Sequence, residues 1–228
     1  SLQEGEKISL MGPTGKPTEI PRGETVLLIG GGLGNAVLFS IGEALKKNQN
    51  HVLYVAGYVS GDQLFYRERI ERASDQIIWC WENDPVIDAR RPQDLGFRGN
   101  VVQALVYFVR TGDVDLASVD RMFVIGSDRM MAAVQKARHG SLKPYLNPCH
   151  QAICSVNSPM QCMMKGMCGQ CLQRHVDPHT GKETMVFSCM NQDQPMDGVD
   201  FSCLSGRLRH NKASEELTSL WVKKHGLL

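Results

Sequence analysis

The sequence predicts an α/β protein: an open parallel sheet of about five strands with helices on both faces, followed by a small cysteine-bearing module at the C-terminus. Three observations predict this. Short, continuous apolar runs alternate with helical patterns from Thr25 to about residue 145. A glycine-rich turn closes the first of those runs. Beyond Ser158 the alternation stops and cysteines crowd together. Runs of this kind mark strands buried on both faces, and their alternation with helices implies βαβ units with right-handed crossovers.

Residues 1–24 are rich in Gly and Pro, and Met11-Gly12-Pro13-Thr14-Gly15-Lys16-Pro17 reads as turn. Thr25-Val26-Leu27-Leu28-Ile29 reads as the first strand. Asn35–Lys47 follows with helical spacing at Ala36, Phe39, Ser40 and Leu45. His51–Ala56 reads as strand, Asp62–Arg72 as helix, and Gln76–Cys80 as strand. Asn100–Arg110 reads as helix, with Val101, Val102, Leu105, Val106 and Val109 on one stripe. Met122–Gly126 reads as strand and Asp128–Arg138 as helix, and Gln151–Val156 adds one more strand. The stretch from Ser158 to Cys203 has little periodicity and few apolar residues, so it reads as a metal-supported module. Ser214–His225 reads as a short helix, capped by Ser214, with Leu217, Leu220 and Trp221 facing inward.

Composition narrows the function classes. The 228 residues carry 25 Lys and Arg against 24 Asp and Glu. That balance gives no reason to expect nucleic acid as a partner. No apolar run approaches the roughly 18 residues that span a bilayer, and Ser1-Leu2-Gln3-Glu4-Gly5 has no signal-peptide pattern, so a cytoplasmic protein is expected. In a reducing compartment clustered cysteines more often bind metal than form disulfides.

Gly30-Gly31-Gly32-Leu33-Gly34-Asn35-Ala36 stands where a strand meets a helix. Glycine there permits positive φ and close approach of backbone N–H groups to a diphosphate, at which the next helix points its positive end. The spacing only approximates G-x-G-x-x-G, and a tight turn needing glycine for packing alone is the rival reading. Ligands of open parallel sheets lie beyond the carboxyl ends of the strands, which adds Gly57 and Gly126-Ser127-Asp128 to the candidates Gly30, Gly31, Gly32, Gly34 and Asn35.

Cys162, Cys168, Cys171 and Cys189 follow the pattern C-x5-C-x2-C-x17-C, with Gly166 and Gly169 in the loop. Plant-type [2Fe–2S] loops use the similar C-x4-C-x2-C with a distant fourth cysteine. Zinc is the alternative, although only one C-x2-C pair is present; His150, His175 and His179 lie near in sequence. Cys149, Cys154 and Cys203 are expected as buried structural thiols. No nucleophile–base pair stands out, so no catalytic side chain is assigned.

The order of glycine turn, Gly126-Ser127-Asp128-Arg129-Met130-Met131 and cysteine loop resembles the ferredoxin–NADP reductase superfamily. It is most similar to the iron–sulfur subgroup: the electron-transfer subunit of dihydroorotate dehydrogenase, the gamma subunit of sulfhydrogenases, and the small subunit of NADH-dependent ferredoxin:NADP oxidoreductase. Gly12-Pro13-Thr14-Gly15 resembles the last strand of the family's flavin barrel. Asp62-Gln63-Leu64-Phe65-Tyr66 resembles its D-x-L-x-Y helix start. Asn157-Ser158-Pro159-Met160, Gly166–Cys171 and Val186-Phe187-Ser188-Cys189 resemble its cluster loop and fourth-ligand strand. Three positions depart from the pattern: Val37 replaces a Pro, Ile125-Gly126-Ser127 replaces C-G-P, and the cluster loop is one residue longer.

The resemblance implies residues 1–24 as a flavin-domain edge and linker, 25–145 as an NAD(P)-binding domain, and 146–228 as an iron–sulfur module with a C-terminal helix. It implies NAD or NADP and a [2Fe–2S] cluster as cofactors, with FAD requiring a barrel and R-x-Y-S/T motif not found in this sequence. Electrons would pass between NAD(P)H, a flavin held largely outside the chain, the cluster and a redox partner. That partner would be a dehydrogenase, glutamate synthase, hydrogenase or ferredoxin. The alternative is a non-redox nucleotide-binding module with structural zinc. Arg67, Arg69 and Arg72 are candidates for a 2′-phosphate contact, and the choice between NAD and NADP stays open.

Overall fold

The computed structural model describes residues 3–9, 15–156 and 166–226. It divides into two compact units, one of Thr18–Val156 with Asp193–Val199, the other of Ser1–Pro17, Asn157–Gln192 and Asp200–Leu228.

The first unit is a seven-stranded sheet. Its elements in chain order are β1 (Thr25–Gly31), α1 (Asn35–Lys47), β2 (His51–Ser60), α2 (Arg67–Arg72), β3 (Gln76–Asn83), β4 (Leu95–Arg98), α3 (Val101–Thr111), β5 (Arg121–Ile125), α4 (Asp128–His139), β6 (Gln151–Ser155) and, later in the chain, β9 (Asp193–Pro195). The strand order is β4-β3-β2-β1-β5-β6-β9. Every neighbouring pair is parallel except β6 with β9. The chain therefore builds outward from β1 to β4, then returns to the other side of β1. That reversal between β1 and β5 is the switch point at which open α/β sheets leave a crevice.

Alternation along each strand explains why both faces are buried. Val26, Leu28, Tyr54, Ala56, Ile77, Trp79 and Phe123 share one core with Leu38, Phe39, Leu45 of α1 and Ile70 of α2. The intervening residues Leu27, Ile29, Val55, Ile78, Cys80, Met122 and Val124 are equally buried, as are Val101, Leu105 and Phe108 of α3 and Met131 and Val134 of α4. Full burial of each large side chain contributes about 1.5–3 kcal/mol before conformational entropy is charged against it.

The second unit holds the hairpin of β7 (Leu172–Val176) and β8 (Glu183–Phe187), which pair antiparallel, and α5 (Phe201–Lys224). Asp177 shapes the hairpin turn: its Oδ1 accepts from the N–H of His179 and of Thr180, both at 2.8 Å. Asp200 caps α5 by accepting from the Cys203 N–H at 2.9 Å, and its own N–H donates to the Arg174 carbonyl in β7 at 3.1 Å. The Arg207 guanidinium donates to the Gln170 carbonyl.

Four expectations are corrected. The sheet has seven strands, not about five, because the short β4 and β9 acquire strand conformation only by pairing with β3 and β6. The helix expected from Asp62 begins at Arg67: Gly61–Gln63 is a single 3-10 turn, and Tyr66 at φ 48° interrupts any continuation. The C-terminal helix begins at Phe201 under Asp200, so Ser214 lies inside it and caps nothing. Leu217, Leu220 and Trp221 are 68%, 64% and 56% exposed rather than inward. Of the three remaining thiols, Cys154 is buried as expected, Cys203 is half-buried and Cys149 is exposed. The expected barrel strand at 12–15 and the cluster-loop start at 157–160 lie in or against segments outside the described residues.

Candidate nucleotide cavity and cysteine loop

The crevice at the switch point is real. A cavity of about 470 Å³ opens at the carboxyl ends of the strands. It is bordered by Gly31 and Gly32 after β1, Gly57 of β2, Glu82 of β3, the Asn100 end of α3, and Ser127, Arg129 and Met130 at the start of α4.

Local chemistry shapes each border. The glycine turn continues β1 into a 3-10 turn at Gly32–Gly34, which runs directly into α1. Gly32 takes φ 53°, where a side chain is strained. A Cβ on Gly34 would lie 2.1 Å from the Ile125 carbonyl oxygen, so only glycine lets α1 sit this close to the end of β5. A Cβ on Gly31 would lie 2.4 Å from the Met130 sulfur, and one on Gly126 2.5 Å from its methyl. Met130 thus lies flat across the backbones of both strand ends. Packing inside the chain thus holds Gly31, Gly34 and Gly126 to glycine, whereas Gly32 has nothing within 4 Å of where a Cβ would stand and leaves its backbone open to a ligand.

The helix starts around the cavity differ. Asn100 caps α3, accepting from Val102 and Gln103 N–H at 3.1 and 3.0 Å, while the Gln103 side chain accepts from the Asn100 N–H at 3.1 Å. Ser127 caps α4 through Met130 N–H at 3.2 Å. Neither the glycine turn nor α1 has a side-chain cap or an acid in its first turn. The Asn35 N–H is taken by the Gly32 and Leu33 carbonyls, so what α1 offers an anion there is its positive end.

The expected site residues fall into two groups. Gly31, Gly32, Gly57 and Ser127 border the cavity. Gly30, Gly34, Asn35, Gly126 and Asp128 do not line it; they stand behind or beside it. Asn35 is fully buried, donates to the Gly32 and Gly57 carbonyls at 3.1 and 3.3 Å, and accepts from the Tyr54 hydroxyl at 3.2 Å. It ties the glycine turn to β2 and positions rather than touches. Glu82, Arg129, Met130 and the Asn100–Val102 segment were not anticipated. The Asn100-x-x-Gln103 capping box was a readable signal for the last of these. Arg67 and Arg69 are committed elsewhere: Arg67 pairs with Glu71 and lies over Trp79, and Arg69 pairs with Glu43 and lies over Phe39. Neither they nor Arg72 border the cavity.

The cysteine loop belongs to the other unit. Cys162 lies outside the described residues. Cys168 is exposed, whereas Cys171 and Cys189 are buried. Hairpin pairing continues one step past the strands, with Ser188 N–H donating to the Cys171 carbonyl at 3.1 Å, so Cys171 and Cys189 leave the hairpin at the same end. Gly166 and Gly169, at φ 66° and 72°, make the bends between. A Cβ on Gly166 would meet Met190 at 3.3 Å. Among the described residues no group of three or more His, Cys, Asp or Glu side chains is arranged to hold a metal ion. Soft thiol donors on a glycine-bent loop fit an iron–sulfur or zinc centre by donor chemistry.

Among the described residues no helix is long and apolar enough to cross a membrane. No protein-family model matches the chain. A Thermotoga maritima homolog of the dihydroorotate dehydrogenase B (NAD(+)) electron transfer subunit is 30% identical over 219 residues, 95% of this chain and 67% of that protein. The corresponding subunit of Listeria monocytogenes is 28% identical over 165 residues, covering 71% of this chain and 58% of the relative. An uncharacterized Rickettsia prowazekii protein is 29% identical over 96% of this chain, which spans only 22% of that protein's length. Among solved structures, one of NADH-dependent reduced ferredoxin-NADP oxidoreductase aligns with 92% of the chain at TM-score 0.70 and 24% identity, a likeness of fold.

Proposed function

The chain belongs to the iron–sulfur subgroup of the ferredoxin–NADP reductase-like electron-transfer subunits, and from that premise we propose that it couples a nicotinamide dinucleotide to a [2Fe–2S] cluster held by Cys162, Cys168, Cys171 and Cys189. The observation carrying this reading is the cavity at the switch point, with Gly32 open at positive φ on its border and the start of α1 beside it. The relatives' role as electron-transfer subunits supports the redox half.

When bound, the cofactors supply the electron chemistry: hydride from the nucleotide, one-electron steps at flavin and cluster. The chain's own residues bind and orient. Gly32 would leave its backbone open to the diphosphate, and Asn35 keeps the turn fixed against β2. Met130, Val101 and Ala133 give the cavity apolar walls that exclude water. The glycines of the cysteine loop leave amide groups for the sulfurs. On this reading the flavin and the partner protein are held outside the residues of the nucleotide cavity and the cysteine loop. A reducing, cytoplasmic setting keeps the thiols available for iron.

The test is anaerobic reconstitution with iron and sulfide. The reading predicts visible absorption, an EPR signal on reduction and about two irons per chain. Stoichiometric zinc in a colourless anaerobic sample would overturn it.

A further inference from the structure

The helix α5 is anchored at one end and bare at the other. Asp200 caps its start, and Phe201 and Leu204 are buried. From residue 213 to 226, by contrast, every residue is exposed except the half-buried Val222. A helix in water takes most of its stability from an apolar face that packs against something. Here Leu217, Leu220 and Trp221 form such a face, one turn apart on one stripe, and it lies open to solvent. Ala213 and Lys224 continue the stripe by a turn in each direction. The Trp221 ring already rests against the His225 ring, with centroids 4.6 Å apart, which limits the freedom it would lose on being covered.

The residues flanking the stripe decide what covers it. Glu216 and Lys223 stand seven positions apart, so both fall on the same flank, with opposite charges at opposite ends. We propose that this half of α5 is a self-association surface, pairing antiparallel with the same helix of a second copy about a two-fold axis at the level of Thr218 and Ser219. With Leu217 set against the partner's Leu220, the symmetry brings Glu216 to the partner's Lys223 and Lys223 to the partner's Glu216. The same register places Trp221 opposite the partner's Ser214 and Lys224 opposite the partner's Ala213, so each bulky side chain faces a small one. The Lys224 stem then lies along apolar surface while its ammonium reaches water. A parallel pair would instead stack Lys224 on the partner's Lys224 in the seam, and like charges there select against it. The seam is only about two heptads long, at the low end of interface sizes, so a Kd of about 1–100 μM is expected.

The test is sedimentation velocity of the whole chain at concentrations from about 1 to about 300 μM. Reducing conditions keep the exposed Cys149 and Cys168 from linking chains. The native chain should pass from monomer to dimer across that range, and Leu220→Asp should stay monomeric. Glu216→Lys and Lys223→Glu should each weaken the dimer about threefold to tenfold, because symmetry sets like charges together twice. The double variant E216K/K223E should regain the native affinity. An equimolar mixture of the two single variants should associate more tightly than either alone. All three positions are exposed, and circular dichroism verifies that each variant keeps its helix. A native chain that stays monomeric at every concentration, a dimer indifferent to L220D, or a double variant no tighter than the single ones would overturn the proposal. None of these outcomes depends on nucleotide or cluster binding.

Discussion

The two units of this chain solve the problem of staying folded in different ways. The sheet unit buries apolar side chains on both faces of its central strands, and residues such as Leu28, Val55, Trp79 and Val124 are almost wholly shielded. Among the described residues of the hairpin unit, the buried apolar ones are Cys171, Cys189, Phe201 and Leu204. Among the described residues, the same cysteines that would carry electrons make up half of the buried apolar set. On the proposed cluster reading, function and folding are separable in the sheet unit and coupled in the hairpin unit.

The largest expected effect breaks the comparison on the cysteine side. Cys171→Ser should abolish the visible chromophore after reconstitution and leave the hairpin unit sensitive to protease. The melting transition of the sheet unit should stay within a degree or two, because no buried residue of that unit has changed. A protease-resistant hairpin in this variant would mean the unit holds itself by burial after all.

Leu28→Ala is the converse probe. Leu28 is fully buried in the α1-side core, and its truncation should cost about 2–5 kcal/mol, read as a shift in the urea midpoint of the sheet unit. Cluster absorption should survive under native conditions.

The smallest effect is a pH dependence confined to the sheet unit. Burial, with the Arg138 guanidinium alongside, keeps His150 below its ordinary value of 6.5, only partly countered by its contact with the Asn147 carbonyl. Its Nε2 accepts from Arg138 at 2.9 Å, while Arg138 and His139 both engage Asp197, whose carboxyl is held low by those partners. The unfolded chain therefore takes up a proton near 6.5 that the folded chain resists. Stability is fully present above that pH and falls as pH drops through it. An NMR titration should place His150 below 6.5, and a His150→Gln variant should lose part of the decline between pH 7 and 5.

The same contrast explains what could be read from sequence. β1, β2, β5, α3 and α4 were legible because burial imposes a period on their residues, and the order in which they recur dictates a parallel sheet. β3 was legible only to Cys80: its last residues, Glu82-Asn83, leave the apolar run, so the carboxylate at the cavity edge was missed. β4 and β9 have no pattern of their own. Gly96 in β4 makes room for the Trp81 ring, which would lie 3.2 Å from a Cβ there. The glycine turn was legible as a strand–helix junction, but Asn35's part as its brace depends on the Tyr54 hydroxyl and Gly57 carbonyl in β2. The hairpin unit was illegible as structure because its sequence follows tight bends at Gly166, Gly169 and Gly181 rather than a burial period. Only the start of α5, with Asp200 three residues before Cys203, carried a local capping signal.

The most direct measurement is hydrogen exchange, residue by residue, on the reconstituted chain before and after anaerobic removal of iron by a chelator. Protection across 166–192 should collapse with the metal while β1, β2 and β5 keep theirs. Equal protection of the hairpin with and without iron would contradict the view that thiol ligation substitutes there for a core.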